Sequence, residues 1–293
     1  MTTVTVCTPT FNRRPFISSM IQCYKAQDYD HTLMDWVIVD DGTDSVADLI
    51  QACGVPNIKY VRLPAQVPLG EKRNIMHKHA TGEVIVYMDD DDYYPPQRVS
   101  HAVQTLRANP WALCAGASVL HIYFKHLNQI LEFGPYGKYH ATAGTFAFWR
   151  GRMLQDSAYA DAAVVGEERA FLKNYTVPLV QLDPKRTILV FSHAHNTFDK
   201  RTLLLDRTKT VVKDTTLTVH DFRLPANLAT FFTHTMHVDL AAYGPGDPSL
   251  KPDAQGIRFG DKILSKAEVM QHLNMQQRLI DMLKQRLKEK EKE

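Results

Sequence analysis

The sequence predicts an α/β fold with a mainly parallel, doubly wound central sheet. The first observation is that strand-like and helix-like runs alternate four times over roughly the first hundred residues, which is the order of βαβ units. The second is that polar residues directly follow three of the strand-like runs, as they do where an open sheet borders a ligand. The third is that strand-like runs follow one another from residue 111 onward, which predicts a mixed or antiparallel portion.

The elements of the first half are predicted from short apolar runs and their flanking residues. Pro15 suits the first turn of a helix, and Asp44 and Ser45 are suitable N-caps for another. Strands are predicted for residues 3–7, 36–39, 58–63 and 84–88. Helices are predicted for residues 15–26, 46–53, 70–82 and 97–108. Each of these strands is therefore followed by a helix.

The strand at residues 84–88 is followed at once by four acids, Asp89 to Asp92. Adjacent ionised carboxylates raise one another's pKa, so such a cluster is usually retained where a cation lies among them. Oxygen ligands favour a hard cation, which means Mg²⁺, Mn²⁺ or Ca²⁺. The alternative is a solvated acidic loop. A metal site is the better interpretation, because the buried strand before the acids and the bulky residues 93–96 after them restrict the segment.

Three strand ends bring polar residues to one edge of the predicted sheet, because the carboxyl ends of parallel strands lie together. They contribute residues 8–13, Asp40 with Asp41, and the acidic run. The start of the third helix adds Lys72 and Arg73, whose charges, with the free N–H groups there, favour phosphate. Carboxylates, a divalent ion and a phosphate-binding helix terminus together predict a site for a nucleoside diphosphate.

The second half is predicted to contain further strands, an ordered functional loop at residues 134–140, and one short helix. The strands are residues 113–124, 129–133, 145–149, 180–182 and 188–191. Glu167 and Glu168 open a helix that runs through Asn174, although acids in a first helical turn also have a purely structural explanation in the helix dipole. His193 and His195 follow a strand end, where a metal-binding role and an ordinary hydrogen-bonded role both stay open.

Composition excludes some classes of protein. A net charge of +2 and a pI near 8.2 provide no basic field for nucleic acid, so we expect no nucleic-acid partner. The four cysteines form no Cys-x-x-Cys pair, which predicts free thiols in a reducing compartment. No leader-like amino terminus and no apolar run of about 18 residues occur, so we expect a soluble, unprocessed, cytoplasmic protein without a transmembrane segment.

The tail is predicted to contain a linker and an amphipathic helix. Glycine and proline are frequent in residues 241–260, which predicts a loop after a main domain of residues 1–240. In residues 261–293 a narrow seam recurs at alternating spacings of four and three, at Val269, Leu273, Gln276, Ile280, Leu283 and Leu287. The helix either packs on the main domain or forms a coiled coil that makes the chain a homo-oligomer.

Four motifs in the first half resemble family 2 glycosyltransferases of the Rossmann-like GT-A fold. In order, they are TPTFNR at residues 8–13, VIVDDG at 37–42, GEKRN at 70–74 and YMDDDD at 87–92. The resemblance divides the main domain into a nucleotide-sugar-binding half, residues 1–110, and an acceptor half, residues 111–240. It implies a nucleotide-sugar donor, a glycan or glycoconjugate acceptor, Mn²⁺ or Mg²⁺ as cofactor, and an inverting transfer to an acceptor hydroxyl.

The resemblance also implies roles for residues of the first half. When the acidic run is aligned with the family's DXD motif on Pro96, Asp91 is the metal ligand, and Asp89 or Asp90 is the partner of the ribose. In the family, an aspartate after the second strand meets the base, and the Arg-Asn pair faces the ribose and diphosphate. The substrate-binding residues expected here are Pro9, Thr10, Phe11, Asn12, Arg13, Asp40, Asp41, Lys72, Arg73, Asn74, Asp89 and Asp90.

The second half resembles the family more loosely. Gly144–Thr145 is similar to the segment that borders donor and acceptor. The family's acidic pair is usually Glu-Asp, with the second acid as general base. This position corresponds to Glu168, and its extra methylene leaves Glu167 as the alternative. A His-containing stretch that lies near the metal in some members corresponds to His193 and His195.

Two other functions are open at this point. A nucleotidyltransferase also combines an α/β sheet with acid-bound Mg²⁺, but it would release pyrophosphate instead of a nucleotide. A non-catalytic nucleotide-sugar or glycan binder would bind these ligands without turnover. The intact acidic set favours an enzyme over the binder.

Overall fold

In the computed structural model of the chain, the structure describes residues 1–163, 166–204, 211–247, 257–259, 262–264, 275–276, 280 and 282–284. The chain divides into two compact units, Met1–Gly246 and Asp247–Glu293. Among the residues just given, no helix is both long enough and apolar enough to cross a membrane.

Two sheets form the framework of the first unit. A seven-stranded sheet contains β1 Val4–Thr10, β2 Met34–Asp40, β3 Ile58–Arg62, β4 Val84–Tyr87, β5 Cys114–Gly116, β8 Ala147–Trp149 and β9 Leu179–Gln181. A four-stranded sheet contains β6 Leu120–Phe124, β7 Gln129–Phe133, β10 Val190–Ser192 and β11 Val212–Asp214. The strand order is β3-β2-β1-β4-β8-β5-β9 in the first sheet and β10-β6-β7-β11 in the second.

The first sheet is parallel where the alternation of strands and helices predicts it. Strands β3, β2, β1 and β4 run parallel, whereas β8 pairs antiparallel with both β4 and β5. The predicted α/β fold, with a mainly parallel sheet and a mixed portion, is therefore confirmed. Chain order reverses between β1 and β4, and the crevice at their carboxyl ends is the switch point at which open sheets bind ligands.

Hydrophobic clusters cover both faces of this sheet. The helices of the first unit are α1 Arg14–Lys25, α2 Ala47–Ala52, α3 Leu69–His79, α4 Arg98–Ala108, α5 Arg150–Met153, α6 Glu168–Phe171, α7 Ala226–Thr230 and α8 Met236–Ala242. In β4, Val84 and Val86 belong to the cluster that contains residues of α1 and α4, whereas Ile85 and Tyr87 belong to the cluster that contains residues of α3 and α6. This two-residue alternation between two buried faces is the reason why a continuous apolar run forms a strand here.

The predicted strand at residues 113–124 is wrong in one respect, because it is divided between the two sheets as β5 and β6. Between the two strands, side-chain oxygens accept the hydrogen bonds of the backbone N–H groups. Ala117 N–H donates to Thr145 Oγ1 at 2.9 Å, and Ser118 N–H donates to Gln181 Oε1 at 2.8 Å. The chain can therefore leave the first sheet after Gly116 without burying unpaired backbone groups.

The helix predicted through Asn174 is shorter than expected. It ends at Phe171 as α6, and residues 173–175 then have left-handed backbone angles, with φ of 49°, 54° and 62°. Such angles cannot continue a right-handed helix. The sequence carries no glycine at these positions, so this end of the helix was not predictable from a C-cap signal.

The second unit contains a hairpin of β12 Ile257–Phe259 and antiparallel β13 Lys262–Leu264. These residues belong to the predicted linker and the first residues of the predicted helix, so the helix does not begin at residue 261. Residues 275–276, 280 and 282–284 are helical, and Ile280 and Leu283 are 45% and 49% exposed. Val269, Leu273 and Leu287 lie outside the described residues, and self-association through the seam stays a prediction.

Two glycines provide a matched test of the packing around β1. Gly82 precedes β4, and a Cβ there would lie 2.4 Å from the backbone nitrogen of Thr5 in β1. Gly151 lies in α5, where an added Cβ meets nothing within 4 Å. We expect Gly82→Ala to lower the free energy of unfolding by about 1–3 kcal/mol, as overpacking does, and Gly151→Ala to leave it unchanged or raise it by up to about 1 kcal/mol. Urea unfolding measures both changes, and equal stabilities would contradict the close approach of Gly82 to β1.

Candidate active site

The four acids after β4 lie at the switch point, beside the loop that leaves β1. Asp90 and Asp92 are buried, and the side chains of Asp89 and Asp91 are only 25% and 15% exposed. Asp92 accepts a hydrogen bond from Phe191 N–H at 2.9 Å, which connects the acidic run to β10. The run is therefore not a solvated loop, and its charges require compensation within the protein.

Two buried arginines supply compensating charge. Arg13 Nη2 lies 3.3 Å from Asp91 Oδ2, and Arg13 Nε lies 3.6 Å from Asp90 Oδ1. Arg73 Nη2 lies 3.6 Å from Asp89 Oδ1. In both arginines the Nη1 group is buried and has no hydrogen-bond partner among the described residues. Because buried donors are normally paired, both positions suit an anionic ligand.

The pKa values of the acids differ with their partners. Burial raises the pKa of Asp90 to about 7, and it also raises the pKa of Asp89. Burial acts on Asp91 as well, but the charge of Arg13 and the hydrogen bond with His193 outweigh it and hold the pKa of Asp91 well below its usual range. Asp91 is therefore the acid of these three that keeps its negative charge most firmly, as a metal ligand must.

Asp91 and His193 form the part of the site that suits a divalent cation. Asp91 Oδ2 lies 3.1 Å from His193 Nε2, and Asn196 Nδ2 donates to the same oxygen at 3.4 Å. Burial lowers the pKa of His193 to about 3, so its imidazole is neutral at pH 7, which is the form that binds metal ions. Within the described ranges, no three His, Cys, Asp or Glu side chains are grouped as a metal site. Two protein ligands nevertheless fit such an ion, since Mg²⁺ commonly takes its other ligands from substrate phosphates and water.

His195 lies in different surroundings from His193. It is buried, with its ring 6.4 Å from that of Tyr243, and a Cβ on Gly246 would lie 2.5 Å from His195 Nδ1. Its backbone N–H donates to His193 Nδ1 at 3.2 Å. The structure thus brings His193 into contact with the acidic run and directs the ring of His195 towards Tyr243 and Gly246.

The loop after β1 is held in shape by Asn12. This residue has a φ of 50°, and its Oδ1 accepts the N–H of Asp44 at 3.0 Å. Pro9 and Thr10 are buried at the end of β1, and Phe11 is half-buried. Thr10 Oγ1 is buried without a hydrogen-bond partner in the part of the chain that the structure describes. Asn12 therefore shapes the loop, and Thr10 and Phe11 lie at the carboxyl end of β1 where that loop begins.

Asp40 and Asp41 are used within the fold. Asp40 accepts the N–H of Gly42 at 2.8 Å and forms an ion pair with Arg62 at 3.3 Å. Asp41 forms a fully buried ion pair with Lys72, so the charge of Lys72 is already compensated. The expected contacts of one of these aspartates with the base, and of Lys72 with phosphate, stay predictions.

Asn74 holds a loop beside Arg73. Its Nδ2 donates to Tyr159 O at 2.9 Å and to Asp161 Oδ1 at 2.7 Å, and its Oδ1 accepts Tyr159 N–H at 3.0 Å. The guanidinium of Arg73 lies 4.5 Å from the ring centre of Tyr87 and 5.8 Å from that of Tyr159. Asn74 thus positions the aromatic surroundings of Arg73, and its predicted contact with the ribose stays a prediction.

Gly144 lies against the acidic run, where a side chain would not fit. A Cβ at this position would lie 2.7 Å from Asp89 Oδ2, and Tyr94 OH donates to Gly144 O at 3.1 Å. Thr145 is fully buried, and its Oγ1 donates to Thr142 O at 2.6 Å in addition to accepting from the chain after β5. Gly144 is therefore a wall of the site, and Thr145 holds the turn that carries it.

The two acids of the Glu167–Glu168 pair have different contacts. Glu167 is buried, and its Oε1 accepts from Arg73 Nε at 3.1 Å. Glu168 is half-buried; among the described residues its carboxylate forms no ion pair, and its hydrogen bond is with its own backbone. Burial, and then the charge of Glu167, raise the pKa of Glu168. A carboxylate without an ion pair and with a raised pKa is suited to accept a proton.

Sequence reasoning missed two cations near the acidic run. Arg98 is fully buried at the start of α4, and its Nη2 donates to Tyr87 O at 3.1 Å and to Phe146 O at 2.7 Å, which holds the end of β4 to the segment before β8. Lys200 is close enough for its charge to act on the pKa of both Asp91 and His193. Neither position belongs to a motif, so only the folded structure identifies them.

Comparison with known proteins connects this site to an enzyme family. Residues 5–146, just under half of the chain, match the family model described as "Glycosyl transferase family 2". The poly(ribitol-phosphate) beta-N-acetylglucosaminyltransferase TarS of Staphylococcus aureus is 29% identical over 100 residues, which are 33% of this chain and 18% of TarS. An uncharacterized glycosyltransferase of Haemophilus influenzae is 22% identical over 107 residues, which are 36% of this chain and 35% of that protein. The matched segments thus span 18% of TarS and 35% of the H. influenzae protein.

Solved structures are similar over a larger part of the chain. The mannosyltransferase PcManGT of Pyrobaculum calidifontis, in complex with GDP-Man and Mn²⁺, has a TM-score of 0.55 at 16% identity and covers 84% of this chain and 73% of its own. TarS of S. aureus has a TM-score of 0.52 at 18% identity and covers 86% of this chain and 46% of its own. At these identities the likeness concerns the fold.

Asp90 and Asp91 are neighbouring carboxylates for which we expect opposite effects on stability. Like-charge repulsion alone predicts that Asp91→Asn leaves the fold as stable or more stable. The structure reverses this expectation, because Asp91 balances Arg13 and its pKa is depressed. At pH 8 without divalent ions, Asp91→Asn should lower the free energy of unfolding by about 1–3 kcal/mol, and Asp90→Asn should leave it unchanged or raise it. Urea unfolding measures both variants, and an Asp91→Asn protein more stable than the wild type would show that repulsion dominates.

Proposed function

We propose that the chain is a family 2 glycosyltransferase, because residues 5–146 match that family model and the fold resembles solved glycosyltransferases. It would transfer a sugar from a nucleotide-sugar donor to a hydroxyl of a glycan or glycoconjugate, with inversion and with bound Mn²⁺ or Mg²⁺. The observation that carries the proposal is the meeting of Asp91, His193 and Arg13 at the carboxyl ends of β4, β10 and β1. This cluster joins a pair suited to a divalent ion to a buried cation that can contact phosphate.

A nucleotide-sugar donor is supported by the relatives and by unsatisfied groups in this chain. PcManGT was solved with GDP-Man and Mn²⁺, and TarS with UDP-GlcNAc. Here Arg13 and Arg73 each have a buried Nη1 that lacks a partner among the described residues, and we assign both to the donor diphosphate. One oxygen of Asp90 is buried and also lacks a partner there, and we assign it to a ribose hydroxyl.

The leaving diphosphate is stabilised from two sides in this mechanism. A bound divalent ion, held by Asp91 and His193, supplies Lewis-acid stabilisation of the negative charge that develops on the leaving group. Arg13 and Arg73 stabilise the same charge, because preorganised buried guanidinium groups interact strongly with an oxyanion where water is excluded. Glu167 keeps Arg73 oriented through the contact with Arg73 Nε.

Glu168 is assigned as the general base. Its carboxylate takes the proton of the acceptor hydroxyl while the hydroxyl oxygen forms a bond to the anomeric carbon and the bond from that carbon to the diphosphate oxygen breaks. Attack from the face opposite the leaving group inverts the anomeric configuration. Glu167 is a poor candidate for this role, because its carboxylate is held by the ion pair with Arg73.

The donor and the metal ion are tested together by thermal shift. We expect one nucleotide sugar from a panel to raise the melting temperature by several degrees when Mn²⁺ is present, because a ligand at about 100 times its Kd adds about 2.7 kcal/mol to stability. In Asp91→Ala the part of this shift that requires Mn²⁺ should vanish, whereas Asp156→Ala, an exposed aspartate outside the site, should behave as the wild type. If both variants keep the Mn²⁺-dependent shift in melting temperature, Asp91 does not bind the metal. Released pyrophosphate would favour a nucleotidyltransferase, and binding without turnover would favour a non-catalytic binder.

The base is tested by a matched pair of variants. Glu168→Gln should lower turnover by about 10²–10⁴ at saturating donor and leave donor affinity nearly unchanged, because it removes only proton transfer. Glu167→Gln should weaken donor binding as well, because it releases Arg73. Donor binding is measured separately by calorimetry. If Glu167→Gln alone loses turnover with full donor affinity, the two roles are exchanged; if neither variant loses turnover, the proton goes to another group.

A further inference from the structure

Three aromatic side chains outside the donor site contact one another in succession between α6 and the loop after β7. The ring centres of Tyr175 and His140 are 4.9 Å apart with an interplanar angle of 35°, and those of His140 and Tyr136 are 5.0 Å apart at 52°. Tyr136 is 43% exposed, and the other two are half-buried. Each residue of this aromatic path, Tyr175, His140 and Tyr136, is thus in part open to solvent.

One end of the aromatic path is on the turn that follows α6, the helix that begins at Glu168. Tyr175 follows α6, and the chain turns back there because Leu172 N–H donates to Glu168 O at 2.8 Å before residues 173–175 adopt left-handed angles. Left-handed backbone angles at three successive non-glycine residues are energetically unfavourable, and such strain tends to occur at functional sites. Burial, and then the charge of Glu168, raise the pKa of Tyr175.

The other end of the aromatic path opens into a cavity of about 420 Å³, a size that suits a small ligand. The loop that carries Tyr136 and His140 is fixed by side chains. Ser118 Oγ accepts Tyr136 N–H at 2.7 Å, and Gln181 Nε2 donates to His140 O at 3.0 Å. Besides Tyr136, the cavity is lined by Lys138 and by the apolar side chains of Val119, Pro135, Leu182 and Pro184. The aromatic path therefore stands on a rigid support.

We propose that the aromatic path binds the acceptor as a chain of at least three sugar residues, with the reacting hydroxyl at Glu168 and the following rings over Tyr175, His140 and Tyr136. This inference rests on the proposed function, because Glu168 must be the base. Sugar rings present C–H faces that pack on aromatic rings, and the spacing of the three side chains is close to that of consecutive sugar rings in a glycan.

Polar groups along the aromatic path suit the hydroxyls of such a chain. His140 Nδ1 is buried and has no hydrogen-bond partner within the described ranges. Burial lowers the pKa of His140, so its ring is neutral at pH 7 and can accept or donate a hydrogen bond. Lys138 lies at the cavity, where its ammonium group can donate to a hydroxyl. A pocket with aromatic walls and a few polar groups is typical of small-molecule recognition.

The experiment compares short and long acceptors in aromatic variants. Maltotriose, mannotriose and chitotriose are each compared with the methyl glycoside of the same monosaccharide, with the donor found by thermal shift. The variants are Tyr136→Ala, His140→Ala and Tyr175→Ala. Tyr136→Phe and Tyr175→Phe keep the rings. Trp111→Ala removes an aromatic side chain that is 52% exposed and precedes β5, at the end of that strand opposite Ser118, and serves as the matched control.

We expect the wild type to prefer one trisaccharide over its methyl glycoside in kcat/KM. Each alanine variant of the aromatic path should lower kcat/KM for the trisaccharide by roughly 2- to 10-fold, as expected for loss of one ring contact, while the Phe variants and Trp111→Ala should not. Transfer of the donor sugar to water needs no acceptor site, so its rate should stay unchanged in all variants, which also shows that they fold.

Two outcomes overturn the inference alone. They are a wild type without preference for any of the three trisaccharides, and alanine variants that keep the preference while transfer to water is intact. A wild type that neither binds a donor with Mn²⁺ nor transfers its sugar to water would instead overturn the proposed function, and this inference with it. Because transfer to water reports the donor site and the length preference reports the aromatic path, the two failures are distinguishable.

Discussion

Compensation of buried negative charge is the constraint on which this site depends. The strand β4 is buried on both faces and delivers four carboxylates into the protein instead of into solvent. Ionised groups in such surroundings are costly unless they are paired. Arg13 at the start of α1 and Arg73 in α3 come from separate elements to pair with them, and His193 after β10 adds a hydrogen bond. The charge balance therefore joins the two sheets and two helices at one point.

This compensation is incomplete in a way that suits a ligand. Arg13 and Arg73 each have a buried Nη1, and Asp90 has a buried oxygen. None of these atoms has a hydrogen-bond partner among the described residues. Unsatisfied buried groups destabilise a fold, so their concentration around one crevice is consistent with a stability cost accepted for function. A diphosphate would satisfy the guanidinium groups, and a divalent ion beside Asp91 would offset the excess of acids. The same reasoning separates Asp40, Asp41 and Lys72, whose charges are balanced within the fold, from the residues that we assign to the donor.

The first half of the fold was predictable because its signals are local. The apolar run of β4 and the acids after it adjoin in sequence, and parallel strands necessarily bring such ends together. The second half depends on contacts between distant residues. β5 can separate from β6 because Thr145 and Gln181 accept hydrogen bonds from backbone N–H groups between them. No pattern within residues 113–124 predicts this separation. Left-handed backbone at residues 173–175 likewise has no glycine signal, although it sets the course of the chain after α6.

The sequence by itself determined the fold class and the edge of the sheet that carries the site, and it carried the resemblance to a family, because strand periodicity, strand-end polarity and motif order are properties of the chain. Only the tertiary structure distinguished residues that stand in the same motif, because it shows which partner each side chain contacts. It paired Glu167 with Arg73 and left Glu168 without an ion pair among the described residues, and it brought His193 to Asp91 while directing His195 towards Tyr243. The physical reason is that neighbours in sequence point in different directions, and the partner that each side chain meets is supplied by a distant segment of the chain.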